Sequence, residues 1–248
     1  MKSKFILFVS ILWITGSLVS QELSPYIKFG ESVKGISEVS KEVGDNLKSG
    51  NFEVLGTYKV GNSNEVMVIA FTRSHLKDAV IKVKDRGVLC AVMKVGLVRE
   101  GGKTTISYTN PQYIARAYLP KGFNSYKAVI NEFSANLKST LAPLGNEFKP
   151  FGGSKMADKL AKYHYKILMP YFSNPVSLNK FNSFEEGLNT IKANLKAKKG
   201  KTQEVYRLLF PEKQIAVFGI GLLNDEDVIA AVECPGISIS GTMVICLS

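Results

Sequence analysis

Apolar residues along this chain switch between a period near 3.6 and a period of 2, and the switches mark its elements. Tyr26 to Phe29 predicts a short strand. Ile36, Val39, Val43 and Leu47 then fall on one helical face, and Gly50 supplies a helix stop. Phe52 to Val60 reads as a strand, Gly61-Asn62-Ser63-Asn64 as a turn, and Glu65 to Phe71 as a second strand. The unbroken run Val66-Met67-Val68-Ile69-Ala70 predicts burial on both faces. A helix is expected from His75 to Val83, a strand from Val88 to Val98, a turn at Gly101-Gly102 and a returning strand from Lys103 to Tyr108. Asn110-Pro111 should end that strand and open a helix, with Tyr108 turned into the core.

A helical stripe follows at Tyr126, Val129, Ile130, Phe133, Leu137 and Leu141, closed by Pro143 and Gly145. Phe148 to Gly153 reads as loop, and Ser154 as the cap of a helix carrying Met156, Leu160, Tyr163 and Ile167. Ser183 and Glu186 form a capping box ahead of a helix faced by Phe184, Leu188, Ile191 and Leu195. Glu204 to Phe210 and Gln214 to Leu222 predict paired strands around Pro211-Glu212-Lys213. Asp227 to Ile239 and Thr242 to Leu247 predict a last hairpin.

The same order, helix and then four strands, thus occurs twice, although the second unit lacks a helix equivalent to His75–Val83. Val88 to Val98 is echoed by Val228 to Ser238, identical at Val88/Val228, Ala91/Ala231, Val92/Val232 and Gly96/Gly236. Asn46-Leu47-Lys48 is echoed by Asn194-Leu195-Lys196. A repeat constrains architecture before a fold is named. The expected fold is α+β: two related units with largely antiparallel sheets covered by helices, joined by a packed helical connector. Their bounds are residues 21–120 and 181–248, with the connector at 121–180. The connector is too apolar for a free linker, so the units should pack around it as a pseudo-dimer within one monomeric chain.

Residues 1–20 have the layout of a secretory signal peptide: Lys2 and Lys4, an apolar run from Phe5 to Trp13, then small and polar residues to Ser20. That run is shorter than the ~20 residues that span a bilayer. The expected location is periplasmic or secreted, with no transmembrane segment after cleavage. The net charge of +11 is concentrated at Lys192, Lys196, Lys198, Lys199 and Lys201 and from Lys77 to Arg86. A basic surface attracts nucleic acid, anionic lipid or acidic polymers, and export argues against nucleic acid.

The stretch from Val92 to Pro111, with the helix end Lys48-Ser49-Gly50-Asn51-Phe52 and the strand Val66 to Phe71, resembles the family known as domain of unknown function 302 (DUF 302). The resemblance rests on a strand, the Gly101-Gly102-Lys103 turn, a strand ending in Tyr108, and Asn110-Pro111 before a helix. It covers about residues 25–118, and Cys90-Ala91 stands where the family has a Pro. Lys162 to Tyr165 and Met169 to Phe172 are similar to features of exported two-unit bacterial relatives. The resemblance implies a small α+β fold that tends to pair and implies no established activity.

Few residues suit chemistry. His164, between Tyr163 and Tyr165, suits acid–base work or haem ligation. No second His or Cys has metal-ligand spacing around it, so no metal is expected, and no other cofactor. Gly152-Gly153-Ser154-Lys155 runs into a predicted helix start, where backbone N–H groups and Lys155 suit a carboxylate or phosphate. Cys234 and Cys246 flank Ile239-Ser240-Gly241. A three-residue loop sets them opposite each other for a disulfide, and a two-residue loop sets Pro235 there instead. The leading expectation is an exported, non-enzymatic protein that binds a small ligand or an envelope protein. The alternative is an enzyme or haem-type protein using His164, Tyr163, Tyr165 and the Gly152–Lys155 turn. A third reading is adhesion to anionic surfaces through Lys192–Lys201.

Overall fold

The structure is a computed structural model that describes residues 21–83, 87–119, 122–163 and 179–222 and the backbone of 242–247. Its largest sheet has six strands, all antiparallel to their neighbours. They are β2 (Tyr26–Ser32), β3 (Glu53–Lys59), β4 (Val66–Thr72), β5 (Met93–Glu100), β6 (Lys103–Thr109) and β7 (Lys149–Phe151), in the order β3-β4-β5-β6-β2-β7. A two-stranded ribbon joins β1 (Glu22–Leu23) to β8 (Lys155–Met156). A three-stranded sheet sets β10 (Ile215–Leu222) between β9 (Thr202–Phe210) and β11 (Thr242–Leu247). The fold is mixed α/β with antiparallel sheets.

Helices α1 (Ile36–Ser49) and α4 (Phe123–Leu141) cover one face of the large sheet. Ile36, Val39, Val43 and Leu47 of α1 are the residues it buries, matching the sequence periodicity. They meet Phe29, Ile69, Phe71, Val95, Leu97 and Ile106 from the strands. Phe52 packs edge-on to Phe71 and Phe133, with ring centroids 5.6 and 5.3 Å away. Burying a large apolar side chain contributes about 1.5–3 kcal/mol, so this aromatic trio anchors α4 to the sheet. Short α2 (Ser74–Val80) and α3 (Pro111–Tyr118) follow β4 and β6. No helix among the described residues is long and apolar enough to cross a membrane.

Helix α5 (Phe184–Lys196) covers one face of the small sheet, through Leu195, Ala216, Phe218 and Ile220. Its start keeps the Ser183 half of the predicted capping box, while Glu186 reaches one residue further back than the box requires. The Ser183 hydroxyl accepts from the Glu186 N–H at 3.1 Å, and the Glu186 carboxylate accepts from the Asn182 N–H at 2.9 Å. The opposite face of the small sheet, with Tyr206, Leu208 and Val217, belongs to the main core. The two sheets approach closely at Gly56 of β3, where a Cβ would stand 2.1 Å from the Val205 carbonyl oxygen of β9.

Three expectations are corrected. Lys149–Phe151, inside the stretch read as loop, pairs with β2 as β7, so its backbone is satisfied by the sheet edge. Gly87–Cys90 forms a 3-10 turn, and the strand begins only at Met93. Buried Val88, Cys90 and Ala91 fill the core as a turn, because a compact apolar run suits a turn or a strand alike. Ser154 caps no helix: Lys155–Met156 pair with β1, and only Leu160–Lys162 make a 3-10 turn. Pairing with Leu23 and Glu22 satisfies that backbone instead. The echoed residues 228–238 lie outside the described residues, as does the first strand of the predicted last hairpin.

Gly56→Val should cost about 1–3 kcal/mol, because its side chain meets fixed backbone. Gly44→Ala, inside α1 with open space around it, should gain about 0.5–1 kcal/mol. Urea unfolding of the two variants measures both, and equal small effects would mean that the sheets are not in contact at Gly56.

Candidate functional site

Strand alternation gives the large sheet two unlike faces. In β5, Met93, Val95 and Leu97 point into the main core, which leaves Lys94, Gly96 and Val98 for the other face. Register then builds rows across that outer face. Ala70 lies opposite Lys94, and Tyr26 lies opposite both Thr109 and Phe151. Lys94 and Thr109 are neighbours, since the Lys94 N–H donates to the Thr109 hydroxyl at 3.0 Å. The next row runs Tyr58, Val68, Gly96, Ser107 and Lys28. The middle of the face is therefore floored by Ala70, Val68, Gly96 and Ser107. Tyr26 and Tyr58, with Val60 and Val68, form a buried cluster over this side.

Lys94 is the anomaly of the floor. Lys94 is half-buried by accessible surface, and a lysine sheltered even that far usually has a partner. Among the described residues no carboxylate pairs with its ammonium. The cost of desolvating the charge pulls its pKa from 10.5 to about 8. The Thr109 hydroxyl offers little compensation. It is engaged by the Lys94 backbone N–H and lies 3.6 Å from the Met93 sulfur.

Tyrosines surround the same face. Burial pushes Tyr26 up to about 12, with neighbouring Tyr58 adding to the shift. Burial likewise raises Tyr113, with further contributions from Tyr163, Tyr26 and Tyr118. Tyr118 is pushed up to about 12 by burial and, next, by Cys90. Buried Tyr206 is raised too, with Tyr58 and Tyr118 as its neighbours. Tyr26 and Tyr206, from the two sheets, and Tyr113 and Tyr118, from α3, thus belong to one group of neighbouring phenols.

Asn110 fixes the junction that brings Tyr26 and Tyr113 together. Its Oδ1 accepts from the Gln112 N–H at 3.1 Å and so caps α3, with Pro111 at the first helical position. Its backbone N–H donates to the Pro25 carbonyl at 2.8 Å, and its Nδ2 to the Ser24 carbonyl at 2.9 Å. Tyr108, just upstream, is buried beside Phe29, as its strand position predicts.

Of the residues singled out in the sequence, Gly152, Gly153, Ser154, Lys155 and Tyr163 gather at the edge of this tyrosine group. Gly152 and Gly153 have φ of +87° and +82°, and a Cβ on Gly152 would stand 2.8 Å from the Tyr26 ring. The Ser154 hydroxyl donates to the Glu22 carboxylate at 2.7 Å. The Lys155 ammonium lies 4.8 Å from the centre of the Tyr163 ring. An acid at the turn and a lysine committed to a ring make a poor anion cradle. The turn instead closes the chain against Tyr26 and holds Lys155 and Tyr163 beside Tyr113. His164, Tyr165 and Cys234 lie outside the described residues. Cys246 sits in β11 with its backbone opposite Val217. Cys90 is buried, its thiol pushed far up by desolvation and donating to the Ile114 carbonyl at 3.6 Å. Among the described residues no group of three His, Cys, Asp or Glu could hold a metal ion. Sequence reasoning missed Lys94, Tyr26 and Tyr113. Lys94 carried a legible signal, a single cation inside the apolar run Val92-Met93-Lys94-Val95-Gly96-Leu97.

No protein-family model, no curated protein and no solved structure matches the chain.

Lys94 sets a pH dependence whose sign follows from its lowered pKa. Between about 8 and 10.5 the unfolded chain holds a proton that the folded chain has released, so stability rises with pH there. Above about 10, Tyr26, Tyr108 and Tyr118, which stay protonated longer when folded, reverse the trend. Lys94→Met should stabilise the protein at pH 7 by roughly 2–3 kcal/mol, after discounting for partial exposure. It should also abolish the rise between pH 8 and 10. Urea unfolding across that range tests both, and a wild-type profile without the rise would contradict them.

Proposed function

We propose that the chain is an exported, non-enzymatic binding protein that takes a small anionic, aromatic ligand on the outer face of its large sheet. The observation that carries this reading is Lys94, a half-buried lysine inside an otherwise apolar run of β5 whose ammonium has no carboxylate partner among the described residues. It stands beside Ala70, Val68, Gly96 and Ser107, which are buried, with tyrosines at the margins of the same face. Proteins retain such a cost at functional positions more often than elsewhere. An anionic group would restore the lost partner, and rings and hydroxyls of tyrosine suit an aromatic body with a polar tip. The Lys2–Ser20 leader pattern supports export to the periplasm or beyond.

The DUF 302 resemblance and the internal duplication belong to the same proposal. Several features support a diverged second copy. Asn46-Leu47-Lys48 and Asn194-Leu195-Lys196 both occupy the last turns of helices, with Leu47 and Leu195 buried. Each helix is followed by an antiparallel hairpin closed through a 3-10 turn, Val60–Asn62 in one and Pro211–Lys213 in the other. Each hairpin also carries a register shift.

Benzoate and phenyl phosphate should raise the melting temperature of the wild-type protein in a thermal-shift assay, and benzyl alcohol should not. Lys94→Met should lose the response and Lys94→Arg should keep part of it. His164→Ala should leave the response unchanged; loss of it there would favour the haem-type or catalytic alternative. An equal response in Lys94→Met and wild type would refute the site.

A further inference from the structure

Helix α5 and strand β9 enclose an open groove on the face of the small sheet that points away from Tyr206. Asn189, Lys192 and Lys196 of α5 form one wall, Leu195 lies at the base, and Glu204 and Arg207 of β9 form the other wall. Lys192 and Lys196 are exposed, one helical turn apart, and have no ion-pair partner among the described residues. Two like charges at this spacing work against the helix. The dipole at the helix end rewards only those in the last turn, which is Lys196.

Arg207 is more tightly placed. Its Nε lies 3.2 Å from the Glu204 carboxylate, and its guanidinium lies 5.9 Å from the centre of the Phe218 ring. Four further N–H donors remain on the fork. Beyond the groove, Lys198, Gly200 and Lys201 take positive φ, in a tight turn that adds cations to the same end. From 189 to 207 the chain has six Lys and Arg and a single acid, Glu204. Glu204 is paired with Arg207, so among the described residues the groove has no acid left to pair with Lys192 and Lys196.

We propose that this groove docks an extended acidic peptide segment of a partner protein, its alternate carboxylates meeting Lys192 and Lys196 and a further one meeting Arg207. The spacing favours an extended peptide. Four helical residues rise about 6 Å, and alternate side chains of an extended chain recur every ~6.6 Å on one side. A contiguous acidic run would send half its charges away from the groove. This inference is independent of Lys94 and of the ligand proposed for the large sheet.

The test is fluorescence anisotropy with a labelled eight-residue peptide of alternating Glu and Ser, at low and at physiological salt. The wild-type protein should bind it, more weakly as salt rises. A Gln/Ser peptide should not bind, and a peptide with its four Glu contiguous should bind several-fold more weakly. Lys192→Glu with Lys196→Glu should weaken binding at least tenfold. Lys48→Glu with Lys127→Glu, the same charge change at exposed lysines on α1 and α4, should weaken it less than threefold. Circular dichroism of both double variants should match wild type, since all four lysines are exposed. Equal losses in the two double variants would overturn the proposal, because charge alone would then explain the binding. Equal affinity for the contiguous peptide would overturn the spacing. Binding of polyphosphate or of phosphatidylglycerol vesicles through Lys192 and Lys196, with no binding of the peptide, would overturn it as well.

Discussion

An antiparallel sheet cannot choose its two surfaces independently, because every strand sends alternate side chains to opposite faces. In β5, Met93, Val95 and Leu97 supply the core with three large apolar groups. The same geometry commits Lys94, Gly96 and Val98 to the outer face. A one-residue slip would bury Lys94 against α1 and α4 and expose the core residues. The register is therefore fixed by the core, and the outer face inherits whatever chemistry remains. Short side chains and one lysine are what remain, and the candidate site follows from them.

Two secondary contacts gather side chains at the margins of that face. Asn110 ties the end of β6 to the chain entering β2, so Tyr26 and Tyr113 are held at one corner. Gly56 lets β9 come within backbone contact of β3, which brings Tyr206 toward Tyr58 and Tyr118. Both devices use residues with little side-chain bulk to spare. Their effect is to gather phenols from distant parts of the chain, with Tyr26, Tyr113, Tyr118 and Tyr206 held protonated to higher pH by burial. A small sheet that shares the main core on one face and carries a basic groove on the other gives the molecule two chemically distinct surfaces.

Much of the helix and strand pattern was legible in the sequence because burial is periodic there. The apolar faces of α1, α4 and α5, the fully buried run of β4 and the Asn110-Pro111 junction all follow from spacing and capping. Where the sequence misled, local signals were compatible with two backbones. Gly87–Cys90 is apolar enough for a strand and forms a turn. Ser154 resembles a helix cap, but its hydroxyl is engaged by Glu22, which is remote in sequence. The site was less legible for the same reason. Lys155 and Tyr163 were singled out from one segment, whereas their partners Tyr26 and Tyr113 arrive through long-range pairing. Lys94 was visible as an odd charge in an apolar run, yet only the register across β4 and β6 shows what flanks it.

Lys94, with no carboxylate partner among the described residues, is the group on which the proposed ligand face depends. NMR titration of the protein with 15N-labelled lysine side chains reads its protonation directly, with Lys94→Met assigning the signal. The account predicts a midpoint near 8 that moves upward when phenyl phosphate is added. A midpoint at the ordinary lysine value, about 10.5, unchanged by the anion, would contradict it.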